Sequence, residues 1–211
     1  MRNGLRMPLE TWLTFFVASW LISLSPGPGA LSCMAAGMRH GFRRAAWNIL
    51  GLELGVILLV AIVAAGLGAA LLASQLVFEL IKWAGVAYLI WLGVSQWRAE
   101  PTPWVTVADA SSTRQSLVIR AFLINASNPK GIVFMLAVLP QFIDPARPLW
   151  PQYLACLATL LLTDVVVMCG YTLLAARLLR ALHSPVHLRA INRLFGGLFV
   201  GAGVLLASFR R

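Results

Sequence analysis

The chain has 211 residues, 60% of them hydrophobic and 11% charged, with a mean hydropathy of +0.82. A soluble domain carries roughly a quarter charged residues, so this chain cannot cover itself with polar side chains and reads as an integral membrane protein. Its net charge of +10 would suit a nucleic-acid partner only if the basic residues clustered on a water-facing surface. They lie instead in the gaps between apolar runs, where they set topology and meet anionic lipid headgroups.

Arg2 and Arg6 precede an apolar run over residues 9–38, interrupted by Ser25-Pro26-Gly27-Pro28-Gly29. A signal peptide would share that charged start, but the run resumes beyond Pro28 through Ala30-Leu31-Ser32-Cys33-Met34, which predicts a retained, broken transmembrane helix. Pro26 and Pro28 remove two backbone donors and the glycines loosen the chain, so the helical ladder must stop there. Unpaired backbone at that depth is tolerated only inside protein or beside a water-filled cavity. Runs over 48–73 and 76–97 supply a second and third helix, the second carrying Glu53 between Gly51 and Gly55. The hydrophilic stretch 98–120, with Pro101, Pro103, Asp109, Ser111 and Ser112, reads as a linker. Beyond it the run 121–143 is broken by Asn125-Ala126-Ser127-Asn128-Pro129-Lys130, and runs over 152–176 and 191–209 complete six crossings of about 20 residues each. Interruptions in corresponding helices of two halves point to a transporter's substrate site. A proline kink alone would not explain Asn125, Asn128 and Lys130.

Glu53 and Asp164 are the acidic residues that fall within apolar spans, whereas Glu10, Glu79, Glu100, Asp109 and Asp144 lie near helix ends or in gaps. A charge at the bilayer centre costs about 2.5–3.5 kcal/mol on the insertion scale, so each must face the bundle interior with a partner or hold a proton. Lys130 is the cationic candidate. Burial disfavours a carboxylate and a nearby cation favours it, so such a group can be poised to carry a proton. The plainer alternative is a static buried ion pair that fixes helix register. Cys33, Cys156 and Cys169 lie in apolar stretches without a C-x-x-C, and His40, His183 and His187 lie in hydrophilic gaps, so no disulfide framework, metal site or cofactor is expected. Pro185 interrupts the helical spacing of His183 and His187. Trp12, Trp83, Trp97, Trp150 and Tyr153 sit near span ends as interfacial anchors. Gly37/Gly41, Gly51/Gly55 and Gly197/Gly201 mark faces for close helix approach that permit a homodimer without demanding one.

Three helices per half is an odd number, so a duplicated half would be inverted in the membrane. Residues 82–88, Lys-Trp-Ala-Gly-Val-Ala-Tyr, resemble residues 193–199, Arg-Leu-Phe-Gly-Gly-Leu-Phe, and the same offset sets Glu53 against Asp164. The expected organisation is one transmembrane domain over 1–211, with a first repeat over about 8–98, a linker over about 99–120 and a second repeat over about 121–211. Arg39, Arg43, Arg44, Arg98, Arg114, Arg120, Arg177, Arg180, Arg189 and Arg193 fall on one side of the membrane. The smaller set of Arg2, Arg6, Lys82, Arg147, Arg210 and Arg211 falls on the other. The positive-inside rule makes the larger set cytoplasmic and both termini periplasmic.

With these residues placed, the chain resembles the LysE/RhtB family of bacterial amino-acid exporters from its first helix to its last. Ser25-Pro26-Gly27-Pro28 is similar to the family's Pro-Gly-Pro element, and Lys82-Trp83-Ala84-Gly85-x-x-Tyr88-Leu89-x-x-Leu92-Gly93 to its third-helix signature. Phe122-Leu123-x-Asn125-x-x-Asn128-Pro129-Lys130 with Leu139-Pro140-Gln141-Phe142 resembles its fourth helix, and Asp164 with Tyr171 its fifth. The resemblance implies an all-α protein of six transmembrane helices in the bacterial inner membrane. It also implies export of threonine, homoserine, homoserine lactone, lysine or other neutral amino acids, coupled to protons by antiport. One departure is Gly29, where the family often has Asp or Asn after Pro-Gly-Pro. Another is Glu53, an acid where a small or apolar residue is expected, which could compensate.

The expected site therefore places Pro26, Gly27, Pro28, Gly29, Asn125, Asn128, Pro129, Lys130 and Tyr171 around a small zwitterion, with Glu53 and Asp164 coupling protons. A membrane enzyme would need a C-x-x-C, a histidine cluster or a Ser–His pair within the spans, none of which the sequence offers. A non-transporting structural or regulatory subunit, or an exporter of a different small solute, is the remaining alternative.

Overall fold

The structure, a computed structural model, describes residues 7–73, 75–99, 113–175 and 185–208. His183, Arg177, Arg180 and the linker residues 100–112 lie outside the described residues. Every regular element among the described residues is helical. They are α1 (Leu9–Leu24), α2 (Pro28–His40), α3 (Phe42–Ala73), α4 (Gln75–Arg98), α5 (Arg114–Ala126), α6 (Pro129–Val133), α7 (Leu149–Leu173) and α8 (Pro185–Ser208). Beyond α6 the coil widens to a π turn over Phe134–Val138 and tightens to a 3₁₀ turn over Leu139–Phe142.

Both expected breaks are present, each with proline as the first residue of the helix that follows. Ser25 leaves the helical conformation at the end of α1, Gly27 is extended, and Pro28 begins α2. Ser127 ends α5, the side chain of Asn128 accepts the Lys130 amide at 3.1 Å, and Pro129 begins α6. The missing proline N–H costs nothing at that position, where an amide has no intrahelical acceptor. The second break bends the chain by 53°. α5 begins seven residues earlier than the apolar run suggests, because Thr113 caps it by accepting the Ser116 amide at 3.1 Å. The linker expected to end at residue 120 thus gives way to helix at Arg114.

Polar and apolar residues are distributed inside out relative to a water-soluble bundle. Ser19, Ser23, Ser25, Asn48, Glu53, Asn128, Gln152, Thr159, Thr163, Thr172 and Asn192 are buried, while Leu13 and Val17 on α1, Ile57 and Ile62 on α3, and Leu154 and Leu162 on α7 are exposed. Such a surface is stable only against lipid. Two helices are long and apolar enough to cross a bilayer alone, Phe42–Gly66 and Leu149–Leu173, and α5 with its bent continuation to Phe142 makes a third if taken as one span. The expected six are not all met by that criterion. α1 has only 16 residues, and α4 and α8, each of 24 residues and about 36 Å long, carry Glu79 and Gln96, and Arg189, Asn192 and Arg193, within their length.

Small residues decide which helices touch. α3 lies along α5, α4 along α8, and α7 meets α1, α2 and α3. A Cβ on Gly55 would come within 2.8 Å of the Asn125 Cβ, and one on Gly51 would overlap the Val118 carbonyl. Between α4 and α8, a Cβ on Gly93 or on Gly196 would meet the other's carbonyl oxygen at 2.6 Å. The intimate contact is thus made by Gly196 and not by the Gly197/Gly201 pair: Gly201 faces open space. The glycines of these two seams, Gly51, Gly55, Gly93 and Gly196, are engaged within the chain. Trp83, Trp97 and Trp150 are exposed, but Tyr153 is buried and the Trp12 indole donates to Thr159 Oγ1 at 3.0 Å.

Candidate functional site

The chain's two proline breaks meet. A cavity of about 60 Å³ lies between them, walled by α1, α2, α3, α5, α6 and α7. Its apolar side is made by Ile22, Leu52, Val56, Leu59, Phe134 and Met168, and its polar groups are Ser23, Ser25, Asn125, Asn128, Lys130 and Asp164. It has room for a few water molecules and is far smaller than the ~300–1,000 Å³ of typical ligand pockets.

Lys130 holds the two breaks together. Its ammonium donates to the carbonyl oxygens of Ile22 at 3.2 Å and Ser25 at 2.5 Å. These belong to the last turn of α1, whose acceptors lost their donors when Pro26 ended the helix. A cation at a helix C-terminus is favoured by the dipole as well as by the hydrogen bonds. The sequence suggests that Lys130 attracts the substrate's carboxylate or pairs with a buried acid. The ammonium goes to backbone carbonyls instead, and Asp164 is close enough to feel its charge without forming an ion pair with it.

The two asparagines are each half committed. The Asn125 amide nitrogen donates to the Leu52 carbonyl at 2.7 Å, which leaves its oxygen, an acceptor. The Asn128 oxygen caps α6, which leaves its nitrogen, a donor. An acceptor and a donor on one wall fit the two ends of a zwitterion, the acceptor toward an ammonium and the donor toward a carboxylate.

Asp164 on α7 meets the Ser23 side chain and the carboxyl of Glu53 on α3 within hydrogen-bonding range. Glu53 is 7% exposed, and neither of its oxygens has a donor among the described residues. Ionised carboxylates are both acceptors, so the two hydrogen-bond one another only through a proton held between them. Asp164 lines the cavity and Glu53 stands behind it.

The remaining expected residues surround the cavity without forming its wall, except for two glycines. Gly27 and Gly29 line it, whereas Pro26 is buried in the break and Pro28 and Pro129 stand at the starts of α2 and α6. The Pro129 carbonyl accepts from Tyr88 at 3.3 Å. Tyr171 donates its hydroxyl to the Leu24 carbonyl at 2.8 Å, securing the end of α1 just before the break. At Gly29 an added Cβ would make ordinary contact, at 3.5 Å, with the Leu52 methyls, so the missing side chain leaves space on the cavity wall. Ser23 and Ser25 do not stand out in the sequence as site residues. The Ser25 Oγ is buried and has no hydrogen-bond partner among the described residues. The signal that points to them is the recurrence of serine at 19, 23 and 25 in an apolar helix. Among the described residues no group of three or more His, Cys, Asp or Glu gathers for a metal.

The sequence is similar to known proteins along nearly its whole length. The model of the LysE type translocator matches residues 20–209. A homoserine/homoserine lactone efflux protein of Salmonella typhi is 43% identical, over 97% of this chain and 99% of its own length. A protein of Vibrio cholerae described only as an uncharacterized membrane protein is 41% identical over 96% and 98%. A leucine efflux protein of Enterobacter is 29% identical over 95% and 96%. No solved structure matches.

Proposed function

The chain belongs to the LysE type translocator family, and from that membership we propose that it exports a small amino acid of the homoserine or leucine kind across the bacterial inner membrane by proton antiport. The observation that carries the reading is the meeting of the two broken helices around a cavity in which Asn125 leaves an acceptor free and Asn128 a donor. Asn125 would take the ammonium and Asn128 the carboxylate, with Ser25 Oγ and the backbone at Gly27 and Gly29 completing the wall. Pro26, Pro28, Pro129 and Tyr171 would act by shaping the breaks, and Lys130 by tying them together. Glu53 and Asp164 would carry the proton.

The proposed architecture is six crossings: α1 with α2, α3, α4, α5 with α6 and its continuation, α7, and α8. The halves would be inverted repeats rocking about the site. Support comes from the pairing of helices, since α3 against α5 mirrors α7 against α1, while α4 meets its counterpart α8 and α3 meets α7. Glu53 and Asp164, equivalent in the repeat, stand side by side where a two-fold axis would pass. The arginine distribution favours both termini in the periplasm.

The test is uptake of labelled homoserine, threonine, leucine and lysine into inverted membrane vesicles with the interior acidified. Uptake of one of them that collapses with the proton gradient supports the proposal. A folded protein that moves none of the four, with or without the gradient, overturns it.

A further inference from the structure

Resting on the amino-acid export reading, we infer that the Glu53–Asp164 pair is a one-proton switch read by the substrate's ammonium: the cation displaces the shared proton, so the site holds either a proton or a cationic amine. Asp164 reaches the cavity and Glu53 does not, so a ligand touches only one of the two carboxyls. Glu53 is buried on α3, which packs against α7, the helix that carries Asp164.

The charged and titratable groups facing the pair are few. Lys130 on α6 faces Asp164 from across the cavity, Cys33 on α2 lies close to both carboxyls, and Cys169 on α7 lies near Glu53. Lys130 spends two of its three N–H donors on the Ile22 and Ser25 carbonyls, and Ser23 supplies one hydroxyl to Asp164. No cation is in contact with Glu53 among the described residues. Two adjacent carboxylates without a contacting cation cannot both stay ionised away from water, and one proton between them satisfies both. An ammonium group held between the Asn125 oxygen and Asp164 brings positive charge beside the pair and donors to the Asp164 oxygens. The proton is then no longer needed and leaves to water, while the substrate keeps its own three ammonium hydrogens. One proton is released for each amine bound, and the reverse exchange on the other side of the membrane completes antiport. Specificity follows: the amine must be free and cationic, and an N-acylated derivative carries nothing to exchange.

The experiment is calorimetric titration of the purified full-length chain with L-homoserine and with L-leucine at pH 7, in buffers of differing ionisation enthalpy. The amines of both ligands are already cationic at that pH, so any proton comes from the protein. About one proton released per ligand bound, and no binding of N-acetyl-L-homoserine or N-acetyl-L-leucine, is the expected result. In Glu53→Gln the amide donates directly to the Asp164 carboxylate, so binding should persist with proton release lost. The wild-type titration needs no variant and decides the matter if Glu53→Gln fails to fold. Binding without proton release, or equal binding of the acetylated ligands, overturns the switch while leaving the export reading intact. Failure of L-homoserine, L-leucine and, titrated in the same way, L-threonine and L-lysine to bind overturns both.

Discussion

Asn128 and Lys130 each serve two masters, and substitutions can separate them. Asn128→Asp retains an oxygen to cap α6 but replaces the free donor with an acceptor, so a carboxylate ligand is repelled. The thermal midpoint in detergent should stay near wild type while uptake falls by at least tenfold, a loss of about 1.4 kcal/mol or more. A variant that transports normally would remove Asn128 from the binding site. Lys130→Met strands the Ile22 and Ser25 carbonyls. Hydrogen bonds to a charged donor contribute about 1.5–3 kcal/mol each, so this variant should unfold at distinctly lower temperature, and unchanged stability would contradict the tie between the two breaks. That these residues are special is legible in the sequence, because polar side chains beside a proline in an apolar run are costly in lipid unless they face a cavity or a partner. Their partners are not legible. A backbone carbonyl carries no sequence signature, so the sequence matches Lys130 to an acid, although its acceptors are the exposed last turn of α1.

At the scale of helices, the breaks are readable because proline chemistry is local, while the seams are not because glycine packing depends on what lies opposite. Gly51 and Gly55 face α5 at backbone contact, but Gly201, at the same helical spacing from Gly197, faces open space. Gly51→Val should therefore force α3 from α5, at a cost of about 1–3 kcal/mol or more, and displace Asn125 through its bond to Leu52. It should show as a lowered thermal midpoint together with lost transport. Gly201→Ala adds a methyl to an open helix position, where helix propensity gains up to about 1 kcal/mol, and should be neutral or mildly stabilising by the same measurement. Equal effects of the two would refute the assignment of the seam. The start of α5 escapes the hydropathy reading for a similar reason: Thr113 caps the helix by a side-chain bond, and residues 114–120 are too polar to register as part of a span.

For the molecule as a whole, the proposed alternating-access cycle would open the cavity between the two broken helices to one side and then the other, with Gly29 on its wall. A cysteine at position 29 makes ordinary contacts with Leu52 and reports on the site directly. In a background with Cys33, Cys156 and Cys169 replaced, and transport retained, alkylation of Gly29→Cys by a small maleimide should proceed slowly. The transported amino acid at saturating concentration should slow it severalfold further, while its N-acetyl derivative should have no effect. Alkylation at the same rate with and without the transported amino acid would place the substrate elsewhere and contradict the account.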